Sequence, residues 1–545
     1  MDIRYFAINL VALAILSVTS IPLSEAQTSP RNTSSQLPNL GDGTDLSPGD
    51  ERRVGDRIAR EIYRDPDYID DPVVAEYVQS IWQPLLAAAR LRGDLSPELD
   101  ERFAWEIMVG KDRSINAFAL PGGYFGLHLG LVAIVTSRDE LASVLGHELT
   151  HVTQRHIARN IAKQSAQAPW LIGAMILGAL AAAKSPDAAN ALIVGGQAVS
   201  AQNQLNFSRD MEREADRVGF GVMTQAGFEP AAFVSMFQKL QQASRLNDNG
   251  AFPYLRSHPL TTERISDMQV RVRQIAPDRS IGLWAEGGQL VARQTMEHAM
   301  VAARASVLSN PGVDALRAWG PLANGAEFAK LDKARQAAAL YGAALGAQRL
   351  RDFSGAAVFQ SRLAELARTD ARASRLARLL SAELALAADD ARRALTVLDE
   401  KSATAPAPEP APAPASTSTS TSTSAPSARP EMLLQAQALV RSGQPSVAAQ
   451  QLQTWVVNHP RDAQAWAALS GAYAAQGFSL RAIRADAEAR FAHLDYAAAL
   501  ERFKAAQELA RELSRKGASD HIEASILDTR ARQTALLLRE QAVER

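Results

Sequence analysis

The sequence predicts a mainly α protein of the α+β kind. A metal-motif domain with a small β-sheet comes first, and α-helical repeats follow it. Three observations carry this. Apolar residues recur at three- to four-residue spacing through most of the chain, the signature of helices buried on one face. Strand-like alternation with a Pro-Gly-Gly turn is confined to residues 103–130. Late in the chain, Trp466, Leu469, Gly471 and Tyr473 nearly keep the W-x2-L-G-x2-Y pattern of a tetratricopeptide helix.

The chain has 545 residues, enough for several domains. It carries a net charge of −1, which gives no argument for nucleic acid as a partner. It has no cysteine, so disulfides, thiol nucleophiles and thiolate metal sites are excluded. Any metal must be held by His and carboxylate groups.

Residues 1–26 read as an export signal, with Arg4, an apolar run from Phe6 to Val18, and Ser24-Glu25-Ala26 as a cleavage site. An uncleaved anchor is the alternative. Export without cysteine fits a bacterial periplasm. Residues 27–46 are polar and read as disordered. The first folded domain spans 47–290. Its helices are expected at Glu51–Tyr63 and Pro72–Ala89, with a strand over Phe103–Val109. Asn116 to Gly130 reads as short β-pieces around Pro121-Gly122-Gly123. Such an edge either pairs with an extended substrate or is an ordinary hairpin. One helix is expected over Arg138–Lys163. The uncharged run Trp170–Ala183 is short for a bilayer, so a buried or lid helix is preferred to a membrane-dipping one. Further helices are expected at Asn206–Ala226, Gln238–Leu246 and Thr262–Ile275, with a loop over Phe252–Leu260.

Residues 291–401 form a repeat-like helical region, with Ala338–Leu345 and Phe353–Ala367 as one hairpin. Residues 402–430 are Ala-Pro and Ser-Thr repeats, an extended tether that divides the helices into two arrays. Residues 431–545 are tetratricopeptide-like, the helix at Trp466 pairing with one around Asp495 to Ala506.

The chemistry lies in His147-Glu148-Leu-Thr-His151. Residues i and i+4 share a helix face, so both imidazoles can meet one metal ion, and Glu148 sits beside them to act on water. A catalytic zinc usually has three protein ligands. Glu212 is the candidate third, because Glu212, Ala215, Asp216 and Gly219 share one helix face. Asp216 can accept a bond from a ligand imidazole, and the small residues let two helices approach. The competing view of Glu212 is a solvated acid in the charged run Arg209–Arg217. Glu214 falls on the far side of that helix. His128 and His156 read as structural, His156 lying off the metal face.

These residues resemble the HtpX-like and CAAX-prenyl-protease-like zinc metallopeptidases. The matching motifs are Asn116-Ala-Phe with Pro121-Gly-Gly, His147-Glu-Leu-Thr-His151, and Ser208-Arg with Glu212-x-x-x-Asp216. The closest branch has a soluble zincin-like metalloprotease domain followed by tetratricopeptide repeats. The resemblance implies one zinc per chain, Glu212 as third ligand and Glu148 as general base. It gives His258, in Ser257-His258-Pro259-Leu260, a role at the metal's open position, as an inhibitory ligand or an oxyanion donor; a structural turn contact is the third reading. It further implies an exported endopeptidase of the periplasm, associated with the outer membrane or free. Its partners would be unfolded or misfolded proteins and, through the repeats, the outer-membrane assembly machinery, with peripheral membrane contact and no nucleic acid. The rival is a chaperone or assembly factor with a latent protease domain. A third reading is an integral membrane protease.

Overall fold

Proline and capping side chains set where the first helices begin. In the computed structural model, which describes residues 46–164, 209–246, 253–275, 294–400, 428–518 and 520–543, α1 spans Pro48–Arg64 and α2 spans Pro72–Arg92. Ser47 and Asp71 accept the free amides of Asp50 and Val74, and each helix has proline in its first turn, where no amide partner is lost. Gly93, at φ 77°, ends α2 in a left-handed cap. The face of α2 with Val74, Tyr77, Val78, Ile81, Trp82 and Leu85 is buried, as its spacing predicts. The export signal, most of the polar stretch after it, Trp170–Ala183 and most of the tether lie outside the described residues.

The strand expected over Phe103–Val109 is shorter. A small helix, α3 (Pro97–Arg102), caps at Phe103, and Trp105 turns the chain with φ 52° before β1 (Glu106–Gly110) begins. β2 (Ala117–Leu120) and β3 (Tyr124–His128) are joined by Pro121-Gly122-Gly123. Gly122 has φ 72°, and a Cβ there would lie 2.7 Å from the Arg52 Cα, so the turn requires glycine. The order is β1-β3-β2: β3 is central, parallel to β1 and antiparallel to β2, which lies at the edge.

After α4 (Leu129–Ile134), the helix expected over Arg138–Lys163 is two helices. α5 (Arg138–Thr153), capped by Ser137, is buried almost throughout and packs against edge strand β2. At Arg155, φ is 52°, and α6 (His156–Gln164) sets off in a new direction. The domain continues with α7 (Arg209–Gln225), α8 (Ala231–Leu246), α9 (Pro253–Ser257) and α10 (Thr262–Ile275). α9 occupies part of the expected loop, and His258 directly follows it.

The apolar core does not stop at the end of this domain. One cluster runs from Val73 through Leu380, joining the protease-like part to the helices that start at Met296. His298, which carries no signal in the sequence, bonds Tyr77 at 2.6 Å and the Val135 carbonyl at 2.8 Å. Arg304 grips Asp71 with two bonds of 2.7 and 2.8 Å. Beyond this, antiparallel helices succeed one another, with Lys333–Arg349 packed on Phe353–Ala367.

Two expectations about the helical part are corrected. The tether does not separate two arrays: Ala391–Asp399 packs directly on Arg429–Arg441, with Ala394 and Ala438 in one apolar cluster. The helix holding Trp466, Ala463–Ala475, pairs with Ser479–Ala492, and Tyr496–Arg515 is the first helix of the next pair. The Asp495 motif resembled a partner helix because both helices of such pairs place alanine at the close contacts. Arg375, bonded to Glu76 and Glu431, and Arg429, bonded to Asp70 and Asp462, tie the array to α2 and its approach. Among the described residues no helix is long and apolar enough to cross a membrane.

Candidate metal centre

The centre is built where α5 crosses α7. Gly146 and Gly219 meet there backbone to backbone; a Cβ on Gly219 would lie 2.9 Å from the Gly146 carbonyl and 3.0 Å from the His147 nitrogen. This closeness lays the α7 face bearing Glu212, Ala215 and Asp216 against His147 and His151. His258 enters from the end of α9, its ring stacked on Tyr254 with centroids 4.7 Å apart.

His147, His151, Glu212 and His258 each offer one ligand atom, and these atoms all lie within 4.8 Å of one another. His147 Nε2 is 3.0 Å from His151 Nε2, 3.4 Å from His258 Nδ1 and 3.5 Å from Glu212 Oε2. Glu212 Oε1 is 3.5 Å from His151 Nε2 and 3.0 Å from His258 Nδ1. In a tetrahedral zinc site with bonds of about 2.0–2.1 Å, ligand atoms stand about 3.3 Å apart. The four atoms therefore fit one such ion. All four side chains are buried, a setting that would be costly for converging polar atoms unless something they all bind holds them together.

His147 and Glu212 have charged groups behind them. His147 Nδ1 lies 2.9 Å from Asp216 Oδ1, a carboxylate placed to favour the proton on Nδ1 and leave Nε2 to face the other three side chains. Arg264 grips Asp216 with bonds of 2.6 and 2.8 Å and reaches Glu212 Oε2 at 2.8 Å. Burial alone would lower the His147 pKa, but Asp216 and Glu212 outweigh it and push it up to about 9. Burial likewise opposes ionisation of Glu212, and the facing His258 and His147 hold it well below the usual carboxylate range.

Glu148 lies beside these groups and is 1% exposed. Among the described residues neither of its oxygens has a hydrogen-bond partner, and His258 Nε2 lies 3.6 Å from Oε1. Burial raises its pKa, against the pull of His258 and His147, which suits a group that must take up a proton.

Residues 72–272 match the model of Peptidase family M48. The chain carries an M48 peptidase domain. The beta-barrel assembly-enhancing protease of Escherichia coli (strain K12) is 30% identical over 354 residues, 64% of this chain and 66% of that protein. A Vibrio cholerae protein provisionally given the same name is 36% identical over 249 residues, 45% of this chain and 49% of its own length. More distant is the mitochondrial metalloendopeptidase OMA1 of Saccharomyces cerevisiae, 29% identical over 196 residues, 35% of this chain and 54% of that one. The chain spans about half to two thirds of the length of these curated relatives.

The M48 domain brings together every site residue singled out in the sequence: His147, Glu148, His151, Glu212, Asp216 and His258. His128 lies apart, bonded to Ser114 Oγ at 2.8 Å. Sequence reasoning missed Arg264, whose place behind Asp216 depends on how α10 packs, and no spacing rule announces it. It also read His156 as structural and off the metal face, and Glu214 as lying on the far side of its helix, without linking either to a ligand. Neither joins the four converging side chains, but His156 Nδ1 is 2.9 Å from His151 Nδ1, and its Nε2 is 2.9 Å from Glu214 Oε2. Nothing in Gln154-Arg155, which has no Gly, Pro or Asn, announces the break that redirects the chain there.

Proposed function

We propose that this chain is an exported, zinc-dependent endopeptidase acting on misfolded or stalled proteins, outer-membrane proteins among them, with one zinc per chain. The observation that carries it is the convergence of His147, His151 and Glu212 with Glu148 beside them. Zinc, when bound, would polarise the scissile carbonyl and acidify a water molecule. In this reading His147, His151 and Glu212 hold the ion, and Asp216 keeps His147 in the right tautomer. Glu148 takes the proton of the attacking water and returns it to the leaving amine. Strand β2, at the sheet edge against α5, offers backbone groups to an extended substrate. The helical array, read as tetratricopeptide-like, docks protein clients and assembly partners; the names of the Escherichia coli and Vibrio relatives support an outer-membrane setting. The signal-like residues 1–26 support the periplasm.

Glu148→Gln is expected to cut cleavage of an unfolded protein such as casein by about 100- to 10,000-fold while zinc stays bound. Casein cleavage at the wild-type rate would refute the mechanism.

One observation favours the rival reading of a latent protease. His258 Nδ1 stands among the ligand atoms, and a fourth protein ligand leaves no position for water. His258→Ala should raise proteolysis if the histidine is an inhibitory ligand. A fall would assign it to oxyanion binding. Complementation by Glu148→Gln, but not by a truncation after about residue 300, would make chaperone action the main role.

A further inference from the structure

His151 and His147 differ in the group that faces Nδ1: for His147 it is the Asp216 carboxylate. For His151 it is His156 Nδ1, at 2.9 Å. His156 Nε2 faces Glu214 Oε2 at 2.9 Å, and the same oxygen accepts from Arg159 Nη1 at 2.9 Å. Only one pattern of protons satisfies this chain with His151 Nε2 turned to the other ligands. His151 must carry its proton on Nδ1 and donate it to His156 Nδ1. His156 must then carry its proton on Nε2 and donate it to Glu214. Every atom in the line is satisfied with both rings neutral.

The backbone arranges this at some expense. On an unbroken helix, His156 would point about 140° away from His151. The break at Arg155, a non-glycine residue at φ 52°, costs on the order of 1 kcal/mol and turns His156 back onto the ligand. The His156 side chain is fully buried, whereas Glu214 is 27% exposed at the surface. Glu214 also sits on α7, two residues from Glu212 and two from Asp216. One helix thus supplies a ligand, the direct support of one histidine and the indirect support of the other.

We infer that His156 and Glu214 form a hydrogen-bonded relay that fixes the ring and tautomer of His151 and thereby sets the metal affinity of the centre. They are positioning residues, acting through His151. The inference rests on the reading that the His147, His151 and Glu212 cluster holds a metal ion.

The test uses full-length protein stripped of metal and titrated with zinc against a competing chelator, alongside thermal unfolding of the metal-free forms. Glu214→Ala and His156→Phe should each weaken zinc binding about 10- to 100-fold with little change in metal-free unfolding. Glu214→Gln, which keeps an acceptor oxygen, should stay within about threefold of wild type. The double variant His156→Phe/Glu214→Ala should bind no more weakly than the weaker single variant, because both break one line. Zinc affinity within twofold of wild type in Glu214→Ala would overturn the relay, as would losses that multiply in the double variant. Should His156→Phe fail to fold, Glu214→Ala at the surface still decides the matter. A wild-type protein that binds no zinc would overturn the metal reading itself, an outcome distinct from zinc-binding variants that match a zinc-binding wild type.

Discussion

Two buried carboxylates, Asp216 in the metal centre and Glu51 under the Pro121-Gly122-Gly123 turn, each face one arginine, yet they titrate in opposite directions. Asp216 takes two bonds of 2.6 and 2.8 Å from Arg264 and has His147 Nδ1 2.9 Å away, and these hold its pKa low against burial. Glu51 meets Arg155 through one oxygen at 3.3 Å, while its other oxygen has no hydrogen-bond partner among the described residues. There burial wins, despite Arg155 and the Gly122 backbone, and pushes Glu51 up to about 7. The difference teaches that a nearby opposite charge does not by itself keep a buried acid ionised. Paired, short, two-pronged bonding does.

The strongest way to break this comparison is to remove the better arginine. Arg264→Ala leaves Asp216 and Glu212 buried without their cation and should cost about 3–5 kcal/mol of metal-free stability, read from denaturant unfolding. A loss below about 1 kcal/mol would mean that the two-pronged grip contributes nothing special.

Next in size is a pH effect of opposite sign at Glu51. Its folded pKa, about 7, lies above the ordinary 4.5, so the folded state holds the extra proton between those values. Stability should therefore fall as pH rises through that window, by about 3 kcal/mol once complete. Asp216, with its folded pKa depressed, contributes stability that is present at neutral pH and lost as pH falls. Glu51→Gln should be more stable than wild type at pH 8 and equal to it near pH 4.5. A gain of the same size at both pH values would show that the glutamate is not the source.

The smallest effect belongs to exposed relatives of these pairs. Arg375 bonds Glu76 and Glu431 as closely as Arg264 bonds Asp216, at 2.6 Å to each, but its side chain is 30% exposed. Solvent screens such a pair, so Arg375→Ala should shift the unfolding free energy by about 1 kcal/mol. A loss of 3 kcal/mol or more would make bond geometry, and not depth, the governing variable.

The parts of the centre that could be read in the sequence are those that a regular helix turns directly into proximity. His147 and His151 share a face by their spacing, as do Glu212, Asp216 and Gly219. What was hidden depends on departures from regularity or on how distant elements pack. The left-handed Arg155 split the expected helix and gave His156 its contact with His151. Arg264 lies 48 residues from Asp216, and nothing in Thr262–Ile275 announces which way its arginine faces. The proline-rich stretch read as a divider because composition reports solvation, whereas Ala394 and Ala438 pack together on either side of it. The order of the sheet, with β3 between β1 and β2, was also beyond reach, since alternation shows which residues are strands but not which strands are neighbours.

The crossing of Gly146 and Gly219 governs the spacing of the four converging side chains. Glu212 stands two turns from Gly219, about 10 Å along the helix. Adding a single methyl group at Gly219 would call for roughly half an ångström of separation at the crossing, more than the about 0.2 Å by which a metal–ligand bond can stray. The distance between two backbones, with no polar atom altered, thus sets how closely Glu212 and Asp216 face His147 and His151.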